Sequence, residues 1–182
     1  SRLFKFPHLH HGPWLGGLDQ LEGNHAEIVK WWTSPEENYA RMKLWFENTY
    51  FGGEAVPATY INWGASAGCA FWGATPDFNT KSVWFHKIIN DWEPWRWDFE
   101  IKTNKYWNII LDIMKYFVEN NDEAYFLGNP EIGNAADNLS LIRGSSYLAT
   151  DIILNPDAVK KAVEIMSDSW VDAHEQLYSI CS

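Results

Sequence analysis

Two polar side chains, Asn129 and Glu131, follow a short apolar segment, at the position where α/β proteins often carry their functional groups. The segment runs from Ala124 to Leu127 and ends at Gly128-Asn129-Pro130, and helical segments come next. A strand, a polar turn and a helix form the repeating unit of α/β domains. Glu131 is therefore a candidate for proton transfer or for orienting a ligand, and a solvated loop glutamate is its structural alternative.

Three histidines close to the N-terminus are the other residues whose spacing suggests chemistry. Two of His8, His10 and His11 could face one way on an extended segment and bind a metal ion. Metal sites need three or four convergent ligands, and no acidic residue or cysteine lies near them in the sequence. Cys69 and Cys181 are too few and too far apart for a disulfide framework or a metal site. No metal site is predicted.

The chain contains 12 tryptophans, which are spread along its whole length. Indole rings can stack on sugars or on other flat ligands, and they can also simply fill a large core. The packing interpretation is favoured because aromatic side chains dominate the burial of apolar surface. The stacking interpretation stays open as an alternative function, that of a non-catalytic protein that binds a flat ligand or a carbohydrate.

Length and charge restrict the classes of protein that fit. A chain of 182 residues is long enough for one domain with a real core and too short for two comfortable ones. The net charge of -10 argues against binding to nucleic acid or to an anionic membrane, since both require a positive surface. The sequence shows neither an apolar run long enough to cross a bilayer nor a signal peptide. With two cysteines only, a reducing cytoplasmic location is predicted.

The first half of the chain predicts an irregular arm, a helix and two extended segments. Residues 1–33 have no clean period and contain prolines and glycines, so an irregular arm is expected. Ser34-Pro35-Glu36-Glu37 is a capping sequence, and Gly52-Gly53 ends the helix that it starts. Ala55 to Trp63 is rich in strand-forming residues. Lys81 to Ile89 predicts a second strand or extended segment. Between these two segments lies a turn rich in glycine and alanine, which would allow close backbone approach.

The second half predicts helices on either side of the Ala124 to Leu127 strand. Asn104 to Asn120 carries apolar residues at helical spacing. A short helix is expected to end at Arg143-Gly144, and a second helical segment runs to Asp151. Asn155-Pro156 begins a long final helix, because asparagine is a good cap and proline fits the first turn.

The region around these elements resembles the uroporphyrinogen decarboxylase superfamily. The resemblance spans roughly Glu36 to Leu177 and is a diffuse pattern rather than one sharp signature. Upstream, the residues that carry it are Gly52 to Pro57, Ala70 to Gly73, and Ser82-Val83-Trp84 with Asp91-Trp92-Glu93. Downstream, they are Leu127-Gly128-Asn129, the run Leu141-Ile142-Arg143-Gly144, Leu148, Asp151, and the helix start from Asn155 to Val159.

The resemblance implies an α/β fold, namely part of a (β/α)8 TIM barrel preceded by the irregular arm. A complete barrel needs about 250 residues, so this chain would be the N-terminal half. A half-barrel leaves unpaired strand edges and an uncovered apolar face. We therefore expect the chain to be a fragment, or to complete its barrel by self-association or by binding a C-terminal half. Alone, it is expected to be incomplete as a catalyst.

The family includes tetrapyrrole decarboxylases, which are lyases, and corrinoid-dependent methyltransferases, so the resemblance implies a tetrapyrrole or corrinoid ligand. The decarboxylases carry an arginine-rich motif near the N-terminus and an aspartate after an early strand. In this sequence Arg2 is the only arginine among residues 1–33. The predicted strand ends in Asn62-Trp63, with no aspartate. The methyltransferases use zinc held by histidine and cysteine, and those ligands belong to the half of the barrel that this chain would lack.

A barrel of this kind carries its active site at the carboxyl ends of the strands. The resemblance therefore implies four ligand-binding candidates at the strand ends, namely Asn62, Trp63, His86 and Asn129. Asparagines also cap turns, and His86 lies among apolar residues that suit a packing role. Arg143 would bind an anionic group bidentately if it points inward, and would otherwise stabilise a helix end.

Overall fold

Helices provide most of the regular structure in this computed structural model, which describes residues 17–64, 66–93, 104–122 and 124–181. The fold is mixed α/β, with short strands in two small sheets. The helices are α1 (His25–Thr33), α2 (Pro35–Glu47), α3 (Gly68–Phe71), α4 (Lys105–Glu119), α5 (Ala135–Arg143), α6 (Ser145–Leu154) and α7 (Pro156–Cys181). The strands are β1 (Ala58–Tyr60), β2 (Pro76–Phe78), β3 (Val83–Phe85) and β4 (Phe126–Gly128).

The helices begin where their capping residues predict. Ser34 accepts a hydrogen bond from the backbone N–H of Glu37 at 3.2 Å, and Pro35 occupies the first turn of α2. The Glu37 carboxylate binds Lys30 at 2.6 Å, so only one half of the expected capping box forms. Asn104 accepts from the N–H groups of Tyr106 and Trp107 at the start of α4. These local signals therefore position α2 and α4 correctly.

Helix α4 lies at the centre of the core and packs against α2 and α7. The buried face of α4 carries Trp107, Ile110, Ile113, Met114 and Phe117. The indole N–H of Trp107 donates to the side-chain oxygen of Gln176 on α7 at 3.0 Å, so this fully buried ring still has a polar partner. Most tryptophans that the structure describes serve the core: Trp31, Trp32, Trp63, Trp72 and Trp107 are buried, whereas Trp84 and Trp170 are exposed.

Strands β1 and β4 pair in parallel, with Ala58 opposite Phe126 and Tyr60 opposite Gly128. Strands β2 and β3 form a separate antiparallel pair in which Asp77 lies opposite Trp84. Parallel strands cannot be joined by a tight turn, and here the helices α3 and α4 lie in the connection between β1 and β4. The sheet formed by β1 and β4 is small, but its parallel pairing is the kind found in β/α units.

Several predicted boundaries were wrong. His25–Thr33 forms α1, which Asn24 caps, instead of continuing an irregular arm; residues 1–16 lie outside the described residues. Helix α2 ends at Glu47, before Gly52-Gly53. The strand predicted from Ala55 to Trp63 is reduced to β1. Only Val83–Phe85 of the second extended segment forms a strand, and it pairs with β2, which was not predicted.

The C-terminal helices follow the expected pattern more closely. Gly144 separates α5 from α6 with a φ of 89°, a conformation that favours glycine. Both α5 and α6 pack against the long helix α7. None of the helices formed by the described residues combines the length and the apolar character that crossing a bilayer requires.

Candidate functional site

The carboxyl ends of β1 and β4 lie at the same edge of the parallel sheet, because the two strands run in the same direction. We call the described residues that follow them, 61–64, 66–67 and 129–134, the rim. The two rim segments are joined directly, since the N–H of Ala67 donates to the carbonyl of Glu131 at 3.2 Å. Ligands of open and closed parallel sheets bind at this end of the strands. The rim is therefore the first candidate site.

Gly68 allows the two rim segments to approach each other closely. A Cβ atom at this position would lie 2.0 Å from the carbonyl oxygen of Ile132 and 2.8 Å from the side-chain amide of Asn138. That amide donates to the same Ile132 carbonyl at 2.8 Å. The close backbone approach predicted for this small-residue turn thus occurs, and its partner is the segment that follows β4.

Asn129 and Glu131, the two candidates after β4, are both exposed at the rim. The carbonyl of Glu131 is held by Ala67, which fixes its backbone and leaves its carboxylate facing solvent. Asn62, after β1, is also exposed, and its side chain accepts a hydrogen bond from Gly64 at 2.9 Å. The fold therefore brings the segments that carry Asn62, Asn129 and Glu131 to one edge of the molecule.

Trp63 and His86 lie elsewhere. The indole of Trp63 is buried, donates to the carbonyl of Trp32 at 3.1 Å and packs edge-on against Phe78. His86 follows β3 of the antiparallel sheet, and its Nε2 lies 3.7 Å from the carboxylate of the exposed Asp77. Trp63 thus has a packing role, while His86 is accessible but belongs to the other sheet.

Arg143 is buried at the end of α5 and is surrounded by partners. Its Nε donates to Asp151 of α6 at 2.6 Å, and its Nη1 donates to the carbonyls of Ile89, at 3.2 Å, and Asn90. The rings of Trp92 and Tyr147 lie about 5 Å from the guanidinium. These contacts hold the segment after β3 against α5 and α6.

The pair also perturbs the titration of the carboxyl. Hydrogen bonding from Arg143 lowers the pKa of Asp151 below its ordinary value of 3.8, burial opposes that shift, and hydrogen bonds from Asn155 and Trp92 add to it. The charged pair is therefore maintained at neutral pH. Ligand binding by Arg143 stays a prediction, because its guanidinium already has these protein partners.

A cleft that sequence reasoning missed lies between the carboxyl end of β1 and the helices α1, α2 and α4. We call it the Arg41 cleft, and its volume open to water is about 30 Å³. The guanidinium of Arg41 stacks on the ring of Trp31 at 3.7 Å, and the hydroxyl of Thr59 is buried. The residues that line the cleft are Trp31, Trp32, Asn38, Arg41, Thr59, Tyr60, Ile61, Asn62 and Phe117.

One sequence signal could have identified this cleft. In the strand predicted from Ala55 to Trp63, Thr59 alternates with Ile61 and Trp63 and so shares a face with them, and both are buried in the structure. A hydroxyl on an otherwise apolar strand face indicates a polar partner or a cavity behind the strand.

Among the described residues, no group of three or more histidine, cysteine, aspartate or glutamate side chains converges as a metal site would require. His8, His10 and His11 lie outside the described residues. Burial raises the pKa of the Cys69 thiol to about 12, and this thiol donates to the side-chain oxygen of Asn138 at 3.3 Å. The residues that the structure describes therefore do not fit the zinc centre of the methyltransferases.

Comparisons of the chain with protein-family models, with curated proteins and with solved structures find no match.

Proposed function

We propose that this chain supplies the first β/α units of a uroporphyrinogen decarboxylase-like barrel, whose ligand is a tetrapyrrole or a corrinoid. The observation that carries the proposal is the parallel pairing of β1 with β4, which places both following segments at one rim. The activity would be either the decarboxylation of a tetrapyrrole or methyl transfer involving a corrinoid. No step is assigned to zinc.

The exposure pattern of the sheet supports the partial barrel. Parallel sheets normally have both faces covered. Here Thr59 and Leu127 face the helices, whereas Tyr60 and Phe126 lie on the opposite face and are 38% and 68% exposed. In a closed barrel that face is the interior, which is filled by side chains from the other strands. A partial barrel would leave it uncovered in this way.

The exposed rim residues are the ones to which we assign contacts with the ligand. Glu131 would transfer a proton or orient the ligand, because its backbone is held in place while its carboxylate is accessible. Asn62 and Asn129 would donate hydrogen bonds from their amides. Arg143, at the end of α5 remote from the rim, would fix α5 against α6. Further strands, from a C-terminal half or from a second copy, would be needed for turnover.

Absorbance titration tests the proposal. The chain is titrated with a free corrinoid, with a free porphyrin and, in separate samples, with oligosaccharides whose binding is followed by tryptophan fluorescence. We expect a saturable shift of the visible absorption band with one of the two macrocycles, and a weaker affinity for Asn62→Ala, Asn129→Ala and Glu131→Gln.

Glu164→Gln, an exposed glutamate on α7, is the matched control for the loss of one negative charge and should bind as the unchanged protein does. Saturable binding of oligosaccharides alone would replace the proposal with the carbohydrate-binding alternative. Binding of neither macrocycle would also overturn it, since the rim would then lack affinity for the ligands assigned to it.

A further inference from the structure

The cleft behind β1 contains a buried polar group that lacks a partner. Thr59 is only 3% exposed, and its hydroxyl has no hydrogen-bond partner within the described part of the chain. A buried hydroxyl without a partner is unfavourable, because it loses its bonds to water and gains nothing in return. Thr59 lines the Arg41 cleft, so a molecule inside the cleft is in a position to supply the missing bond.

Arg41 brings a positive charge to the same cleft, and its neighbours neutralise that charge only in part. Its Nη2 donates to the carbonyl of Trp31 at 2.6 Å, and the described part of the chain supplies no second hydrogen bond to the other N–H donors of this guanidinium. The nearest carboxylate, on Glu37, is 3.9 Å away, and that carboxylate binds Lys30 at 2.6 Å. The Arg41 side chain is 19% exposed, and burial lowers its pKa to about 10.

The size and the walls of the cleft restrict what can enter. A volume of about 30 Å³ is room for roughly two water molecules, or for a group of about three heavy atoms. The rings of Trp31, Trp32 and Phe117 form apolar walls. A carboxylate has three heavy atoms, and each of its two oxygens accepts hydrogen bonds, so one oxygen can bind a guanidinium N–H while the other binds a neighbouring hydroxyl.

We propose that the Arg41 cleft binds the carboxylate of a small organic acid, with one oxygen on the guanidinium of Arg41 and the other on the hydroxyl of Thr59. The remainder of the acid would lie in the open mouth of the cleft, where Asn62 is exposed. The cleft shares Ile61 and Asn62 with the rim, but the two assigned contacts, Arg41 and Thr59, lie outside the rim, so this site does not rest on the function proposed for it.

Nuclear magnetic resonance of the ¹⁵N-labelled chain tests the site with acetate as the probe. Sodium acetate is titrated against sodium chloride at constant ionic strength, and the side-chain Nε–H signals of Arg41 and Trp31 are followed. We expect saturable shifts with a millimolar dissociation constant. Arg41→Lys should weaken acetate binding about tenfold, because the lysine retains the charge and loses the planar N–H donors that stacking on Trp31 holds in place. Thr59→Val should weaken it about threefold to tenfold.

Lys43→Gln is the matched control, because it removes one positive charge from the exposed side of the same helix. Its acetate affinity should equal that of the unchanged chain. Equal shifts with chloride or with inorganic phosphate would overturn the proposal, since they would indicate only charge screening. A high-resolution structure from crystals grown in acetate would also overturn the proposal if it showed only water between Arg41 and Thr59. The titration of the unchanged chain decides the question even if a variant fails to fold.

Discussion

Arg143 and Asp151 form a buried ion pair, and Asn155 completes it by donating to the second carboxylate oxygen at 2.8 Å. Removing one member of such a pair leaves the other charge buried without a partner, which lowers the free energy of unfolding by about 3–5 kcal/mol. We therefore expect Asp151→Asn to lower the free energy of unfolding by an amount in that range, as measured by urea denaturation. Asp168→Asn, at an exposed position of α7, is the control and should change it little.

The same pair predicts how stability responds to acid. The pKa of Asp151 is lower in the folded chain than its ordinary value of 3.8, so the unfolded chain binds the proton more readily. The stabilisation is present in full above about pH 4 and is lost as the pH falls through the folded pKa. Denaturation between pH 7 and pH 2 should show this loss in the unchanged chain. An equal loss in Asp151→Asn would assign it to other carboxylates.

Thr59 predicts a substitution that stabilises the chain. Thr59→Val keeps the shape of the side chain and removes a buried hydroxyl that has no partner among the described residues, so we expect a gain of about 1 kcal/mol in ligand-free buffer. Thr49→Val is the contrasting variant, because the hydroxyl of Thr49 donates to Trp45 at 2.7 Å. It should be neutral or destabilising. A destabilised Thr59→Val would mean that a tightly held water already satisfies the hydroxyl.

At the scale of elements, the contact between the two rim segments depends on the absence of one Cβ atom. Gly68→Ala places a methyl group 2.0 Å from the carbonyl oxygen of Ile132, and backbone must move to relieve this overlap. Overpacking of this kind costs about 1–3 kcal/mol. We expect a loss of that size in urea denaturation, together with weaker binding of any ligand at the rim.

Gly128→Ala provides the comparison for this prediction. Its added Cβ would lie 3.5 Å from the carbonyl oxygen of Thr59, which is ordinary van der Waals contact. Gly128 lies in β4 on the exposed face of the sheet. The free energy of unfolding of Gly128→Ala should therefore stay close to that of the unchanged chain. If both variants lose the same stability, the close approach at Gly68 is not the cause.

The elements also differ in how well sequence reasoning located them. The bounds of α4 and the start of α7 were predicted to within a residue, because Asn104, Asn155 and Pro156 are local signals that act within one turn. Strands β1 and β4 each contain only three residues, and their bounds depend on a partner far away in the sequence. Arg143 was placed correctly at a helix end, but its partner Asp151 belongs to the next helix, and no local pattern indicates that contact.

At the scale of the whole molecule, the proposed barrel would account for the exposed apolar side chains on one face of the parallel sheet. The exposed rings of Tyr60 and Phe126 lie on it. We expect the chain to bind a fluorescent dye specific for apolar surfaces, and the double variant Tyr60→Ser, Phe126→Ser to bind it less. The exposed pair Ile153 and Leu154 of α6 serves as the control, since serine at both positions tests a different surface.

Both outcomes of the dye experiment are informative about the fold. A reduction in fluorescence that is confined to the sheet variant would support the expected missing layer of strands. Fluorescence that falls only in the α6 variant would place the accessible apolar surface on the helices and would count against the partial barrel.

The pairing of Ala58 with Phe126 also has a consequence for synthesis of the chain on the ribosome. Strand β1 leaves the ribosome long before its partner, because the whole of α4 is translated between them. At about 5–20 residues per second, β1 remains without its partner for roughly 3–14 s. During that interval its open edge is accessible to neighbouring nascent chains. The speed of translation between the two strands should therefore influence how much of the protein reaches the folded state.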